Sequence, residues 1–216
     1  MYDTLQDAID ELVRPDDVVL DAGCGSGRVF RHRLAGHVRR VIGVDVTDEM
    51  RGNTSIDGGA KADLRALPFR DGTFDLIVMS TVAEHLTEPE PVFRELARVL
   101  RAGGRLLVLT PNRWHYVTLA ARALPHRLHV AFNGWRGVDE HDVFPTAYRA
   151  NTAARLRELT SSAGLRVERL ERFETEPEYL AFHFVPYALG VLYERAVNRI
   201  DALAGLRVNL LLVARK

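Results

Sequence analysis

The chain has 216 residues, 47% hydrophobic and 27% charged, the proportions of one ordinary globular domain able to bury its own core. Disordered, collagen-like and low-complexity architectures are excluded, and 29 Lys+Arg against 29 Asp+Glu leaves no net charge for general nucleic-acid binding. A lone cysteine, Cys24, can form no internal disulfide, and Met1 leads into Tyr2-Asp3-Thr4 without a signal-like apolar region, so a cytoplasmic, reduced protein is expected.

Leu5, Ile9, Leu12 and Val13 recur at helical spacing behind Asp3 and Asp7, predicting an N-terminal helix that ends at Pro15. Val18-Val19-Leu20 is a short buried strand broken at Gly23. A helix from about Gly27 to Leu34 and a strand at Val41-Ile42-Gly43-Val44 complete a βαβ unit. The alternation continues with a weak strand near Lys61–Asp63, a strong one at Leu76–Met79, a helix from about Glu90 to Leu100 stopped by Gly103-Gly104, and a strand at Arg105–Leu109. Thr152 to Ala163 reads as a helix capped by Asn151 or Thr152, and Leu165–Leu170 and Leu210–Ala214 as the last two strands.

Apolar runs without polar alternation predict an α/β fold with a largely parallel sheet covered on both faces. The organisation is one domain, 1–216, with insertions at about 111–150 and 171–206. Both follow the carboxyl ends of strands, the edge at which open α/β sheets bind ligands, so they are expected to build a pocket there. Tyr179 to Tyr193 carries no Asp, Glu, Lys or Arg, but Pro186 and Gly190 argue against a single helix, and no apolar run reaches the ~18 residues of a membrane span.

The strongest motif is Asp21-Ala22-Gly23-Cys24-Gly25-Ser26-Gly27, placed between a buried strand and a helix, where glycines let the backbone turn sharply and approach a ligand. Asp45 ends the next strand, where a carboxylate can accept from both ribose hydroxyls. A nicotinamide cofactor is disfavoured: the third dinucleotide glycine is replaced by Arg28, Asp21 would repel a pyrophosphate, and no Tyr is followed four positions on by Lys.

On these residues the chain resembles the class I S-adenosylmethionine-dependent methyltransferases, in particular the small-molecule, ubiquinone-biosynthesis-like group. Further matches are Val44-Asp45-Val46 with Met50, Asp63-Leu64, Phe74 to Ser80 followed by Glu84-His85-Leu86, and Leu100 to Leu106, in the family's order. The resemblance implies a Rossmann-like, doubly wound seven-stranded sheet of order 3-2-1-4-5-7-6 with strand 7 antiparallel. It also implies S-adenosylmethionine as cofactor, with S-adenosylhomocysteine as product. Asp21, Ala22, Gly23, Cys24, Gly25 and Gly27 would surround the amino-acid tail, Asp45, Val46 and Met50 the ribose and adenine, Asp63 and Leu64 the adenine edge, and Ser80 the exit of the fourth strand.

Methyl transfer to oxygen or nitrogen leaves a proton to remove, and His85, just past the fourth strand, is a candidate base; the alternative is that it caps or packs the following helix. His141, in Glu140-His141-Asp142 with Tyr148 just beyond, is a second candidate, against a solvated turn. Glu84-His85 reproduces only half of a metal motif whose first carboxylate is replaced by Thr81, so no required metal is expected. His115, between Trp114 and Tyr116, is expected to belong to core packing.

Residues 1–110 carry 14 basic and 18 acidic side chains and residues 111–216 carry 15 and 11, and no acid falls between Glu95 and Asp139. Arg98, Arg101, Arg105 and Arg113 are among the arginines of that interval, which suits an anionic acceptor as well as it suits ordinary surface arginine. Tyr179 to Tyr187 is expected to be core, with a lid over the acceptor or a peripheral membrane patch as alternatives. The reading is an enzyme methylating a small-molecule or carbohydrate-type acceptor at oxygen, without nucleic acid as partner. A non-catalytic adenosyl-binding partner or sensor is the competing function.

Overall fold

Val18–Ala22 (β1), Arg40–Asp45 (β2), Gly58–Lys61 (β3), Phe74–Ser80 (β4), Leu100–Pro111 (β5), Arg166–Phe173 (β6) and Asn209–Arg215 (β7) join in one sheet. In the computed structural model, which describes residues 2–27, 34, 36–123, 145–177 and 180–216, their order is β3-β2-β1-β4-β5-β7-β6. Neighbours from β3 to β5 run parallel, whereas β7 is antiparallel to both β5 and β6. Pro111 and Phe173 both pair with Asn209, so the end of β5, the start of β7 and the end of β6 share the edge where β1, β2 and β4 finish. The expected topology is the observed one.

Period-two side-chain alternation sends apolar residues to both faces of the sheet. Leu20, Ile77, Leu106 and Leu212 meet Phe93 and Leu96 of the helix Pro89–Val99 (α2) and Leu156 and Leu159 of the helix Ala153–Ser162. On the opposite face Val19, Leu76, Val78, Leu107 and Leu211 pack with Leu5, Ala8 and Ile9 of the helix Tyr2–Leu12 (α1). The other long helices among the described residues are Tyr116–Ala123 (α3) after β5 and, after β6, Phe184–Arg199 (α5); Ala153–Ser162 is α4. Thr152 caps α4, its Oγ1 accepting from Arg155 N at 3.2 Å.

Four local expectations are corrected. First, α2 ends at Val99, with Leu100 N donating to Leu96 O, and β5 begins at once. Gly103-Gly104 therefore does not stop the helix; Gly103, at φ +81°, turns the first part of β5. Second, β3 lies at Gly58–Lys61 rather than Lys61–Asp63.

Third, Phe184–Arg199 is one helix despite Pro186 and Gly190. Pro186 falls in the first turn, where a backbone N–H has no intrahelical acceptor to lose. Gly190 is where α5 presses on Pro177: a Cβ there would stand 2.6 Å from Pro177 Cβ. Fourth, the aromatic segment is not core, since Phe182, Phe184 and Val185 are exposed. The helix expected at 27–34 falls mostly outside the described residues, as do Glu140-His141-Asp142 and Tyr179.

Candidate cofactor and acceptor site

The turn after β1 takes its shape from residues far away in sequence. Gly23 N and Cys24 N both donate to Val44 O, and Gly25 N donates to Asp45 Oδ2 at 2.9 Å, which draws the turn across the end of β2. Gly23 and Gly27 have φ of +82° and +76°, a region that L side chains rarely enter. A Cβ on Gly23 would strike Val82 at 2.4 Å, and one on Gly27 would strike Asn53 Oδ1 at 2.4 Å. The turn is thus wedged between the exit of β4 and Asn53.

Asp21, at the floor of this turn, is 3% exposed, and its Oδ2 has no hydrogen-bond partner. Burial, with Asp45 adding repulsion, raises its pKa to about 7. Ser80 Oγ, at the end of β4, is likewise buried without a partner. Two orphaned polar atoms at adjacent strand ends beneath a glycine turn fit a polar, cationic ligand tail: the ammonium of an S-adenosylmethionine tail would supply Asp21 with the missing donors.

Asp45 already accepts from Thr47 N and Thr47 Oγ1 on Oδ1 and from Gly25 N on Oδ2. A carboxylate has about four acceptor positions, so a ribose hydroxyl can still be received. Val46 is exposed beside it, a ready face for an adenine ring, while Met50 leans toward Gly59, where an added Cβ would lie 2.9 Å from Met50 Cε. Ala22 and Leu64 are buried. Asp63 is gripped by Arg65 through Nε and Nη2 and accepts from Arg65 N, which holds its carboxyl below the usual range. Cys24 points away from any nucleophilic role: it is buried, and burial pushes its thiol up to about 12.

Asn53 escaped sequence reasoning. Its Nδ2 donates to Cys24 O at 3.1 Å and Gly25 O at 3.3 Å, and its Oδ1 accepts from Ser55 N, so one buried amide fixes the glycine turn. No spacing pattern marks it.

The region expected to face an acceptor starts where β4 ends. Thr81 has φ +53°, and Val82 abuts Gly23, so the short 3₁₀ turn Ala83–His85 stands against the glycine turn. His85 Nδ1 lies 2.9 Å from Pro145 O. Glu84 is buried, which raises its pKa, and it accepts from Thr110 Oγ1 at 3.1 Å. Its backbone carbonyl accepts from both Ala147 N and Tyr148 N, and Asn151 Nδ2 donates to Thr110 Oγ1 and Pro111 O. Residues 145–151 are thereby sewn to the ends of β4 and β5, Tyr148 taking φ +50°.

Of the basic residues suggested for an anionic acceptor, Arg98, Arg101 and Arg105 pair with Glu95 and Asp71, with Asp75, and with Glu168 at the opposite, amino edge of the strands. Arg113 is at the acceptor edge, its Nε buried without a partner and its guanidinium 5.9 Å from the Trp114 ring. His115 is 2% exposed, with Nε2 3.4 Å from Glu174 Oε2 but without hydrogen-bond geometry. Burial lowers His115 to about 4 and raises Glu174 to about 7. Tyr116 and Tyr193 cover this pair, which ties β5, β6 and α5 together. Packing is thus the structural setting of His115. Among the described residues no three His, Cys, Asp or Glu side chains are grouped so as to hold a metal ion.

Residues 20–108 match the family model of a methyltransferase domain. Over 109 residues the chain is 39% identical to the ubiquinone/menaquinone biosynthesis C-methyltransferase UbiE of Citrobacter koseri, covering 45% of this chain and 43% of that protein. The UbiE of Klebsiella pneumoniae is 38% identical over the same shares. The chain spans less than half the length of these curated relatives.

In solved structures, the S-adenosylmethionine-dependent methyltransferase of Mesorhizobium loti is similar over 100% of both chains with a TM-score of 0.66 and 19% identity. Geranyl diphosphate C-methyltransferase of Streptomyces coelicolor, solved with Mg2+, geranyl diphosphate and S-adenosyl-L-homocysteine, is similar over 99% of this chain and 77% of its own, with a TM-score of 0.58 and 18% identity. At such identity these structures speak for the fold. Residues 20–108 thus carry the match to a methyltransferase domain, and the seven-stranded topology is the fold shared with the solved methyltransferases to which the chain is similar.

Proposed function

We propose that the chain transfers a methyl group from S-adenosylmethionine to a hydroxyl oxygen of a small-molecule or carbohydrate-type acceptor, with His85 as general base. The cofactor supplies a methyl on a sulfonium, already a good leaving group. Asp21, Ser80, the turn 22–27, Asp45, Val46, Met50, Asp63 and Leu64 would hold it, so the rest of the protein has to orient the acceptor and remove its proton.

The observation that carries this reading is the contact of His85 Nδ1 with Pro145 O. A carbonyl only accepts, so Nδ1 must carry the hydrogen, which leaves the basic lone pair on Nε2. The same contact joins the turn beside the cofactor loop to residues 145–151, and Thr110, Glu84 and Asn151 hold that junction rigid. His141, outside the described residues, is the alternative base. Arg113, with a buried Nε lacking a partner, supports an anionic or glycan-type acceptor. Exposed apolar residues of α5 support a peripheral position at a membrane.

A second reading, methylation at carbon, is favoured by the C-methyltransferase names of the relatives. Turnover on a panel of phenols, sugars and quinols, with products assigned by mass and NMR, separates the two. His85→Ala is expected to lower turnover by about 10²-fold while S-adenosylhomocysteine affinity is kept. A full-rate variant removes the base role, a carbon-methylated product selects the second reading, and cofactor binding without any turnover returns the protein to a sensor or partner role.

A further inference from the structure

Helix α5 separates two kinds of surface. Val185, Leu189, Leu192, Ala196 and Arg199 follow one another at steps of four and three residues and so share one face. Gly190 and Val197, roughly opposite, are buried, and Glu194 turns the same way to accept from Asn198 Nδ2. On the outer face Val185, Leu189 and Leu192 are 54%, 62% and 61% exposed, and Phe182 and Phe184, leading into the helix, are 50% and 79% exposed. Leu180 to Tyr193 contains no charged residue, and the charges that follow on the outer side, Arg195 and Arg199, are exposed and positive.

We propose that this face of α5 docks onto an anionic lipid surface, with Phe182, Phe184, Val185, Leu189 and Leu192 in the acyl boundary and Arg195 and Arg199 against the headgroups. This rests on the peripheral position proposed above and not on the identity of the acceptor. The charge chooses lipid over a protein partner: beside its apolar residues the outer side of α5 carries only the exposed cations Arg195 and Arg199, while the acid Glu194 lies on the inward side.

No helix among the described residues is long and apolar enough to cross a membrane, so contact is from one side. Tyr193 on the inner side of α5 meets the Tyr116 ring, at the start of α3, edge to face, and Trp114, 53% exposed, lies just before it with Arg113. Helix α5 itself connects β6 to β7 at the sheet edge that carries the cofactor turn. Docking would therefore bring that edge, and the acceptor opening, to the lipid.

Flotation of the full chain with phosphatidylcholine vesicles and with vesicles containing 30% phosphatidylglycerol tests this. At least ten-fold stronger binding to the anionic vesicles is expected, weakening as salt rises. Leu189→Ser/Leu192→Ser should lose binding at least ten-fold, and Arg195→Glu/Arg199→Glu should abolish the preference for anionic vesicles. Both should keep the melting temperature and S-adenosylhomocysteine affinity of the parent, since neither pair reaches the core or the cofactor turn. No binding by the parent, equal binding to both vesicles, or unchanged binding by the leucine variant would overturn the proposal. So would a dimer in sedimentation that the leucine variant dissociates while vesicles stay unbound. If a variant fails to fold, the parent's lipid preference and salt dependence still decide, and cofactor binding, measured separately, is untouched by the result.

Discussion

Asp21 should make cofactor affinity depend on pH. Its carboxyl is buried, its Oδ2 lacks a donor, and burial first and Asp45 second raise its pKa from 3.8 to about 7. An ammonium placed beside it favours the carboxylate, so binding the amino-acid tail releases a proton wherever the ligand-free carboxyl is protonated. If the carboxylate alone binds, linkage gives S-adenosylhomocysteine an affinity about ten-fold weaker at pH 6 than at pH 8, with ~0.9 proton released per ligand at pH 6. Titration calorimetry between pH 6 and 8, in two buffers of different ionisation heat, measures both quantities.

Asp21→Asn should bind more weakly at pH 8 and show no slope. A flat parent profile, or a slope that survives in Asp21→Asn, refutes the reasoning. Stability follows the opposite sense in the ligand-free protein. A carboxyl whose folded pKa lies above its unfolded value contributes stability below about pH 4, and that contribution is lost as pH rises through about 7. The ligand-free protein should therefore lose melting temperature between pH 6 and 8 by Asp21's share, and saturating S-adenosylhomocysteine should restore it.

Asn53→Ala removes three hydrogen bonds around the glycine turn and should weaken S-adenosylhomocysteine about ten-fold in calorimetry while turnover at saturating cofactor changes little. Thr110→Val strips Glu84 and Asn151 of their shared hydroxyl and should cost about 1–3 kcal/mol in urea unfolding; a loss under ~0.5 kcal/mol would mean the network contributes no rigidity. Glu174 has a folded pKa raised to about 7, so its contribution to stability is present below about pH 4.5 and lost as pH rises through 7. Melting temperatures from pH 5 to 8 should thus fall for the parent relative to Glu174→Gln, and parallel curves for the two proteins would show that burial does not shift the group.

The proposed cofactor half was legible because its signature is one contiguous run, although its shape depends on Val44, Val82 and Asn53 far along the chain. Asp21 to Gly27 form one turn whose glycines are required by positive φ and by the side chains of Val82 and Asn53, and Asp45 simply ends the next strand. The failures have local causes. Pro186 and Gly190 look like helix breakers in isolation, but a first-turn proline loses no hydrogen bond, and a buried glycine gains close packing against Pro177. Gly103-Gly104 carries the composition of a helix stop, yet Leu100 already belongs to β5. The core expectation for Phe182 to Val185 followed hydrophobicity alone, which does not say whether a covering surface exists.

The acceptor half is written in long-range pairings instead. Thr110 reaches Glu84 across 26 positions, Asn151 reaches Thr110 across 41, His85 reaches Pro145 across 60, and Asn112 reaches Arg207 across 95. Many of these bonds end on a backbone carbonyl or amide, and neither carries a sequence signature. What a single sequence can show is therefore that His85 follows the fourth strand; its tautomer depends on Pro145, which only the folded chain brings within 2.9 Å. Because residues 145–151 are held by Glu84, His85 and Thr110 rather than by the glycine turn, substitutions there should change acceptor choice and proton transfer while leaving the cofactor's own contacts in place.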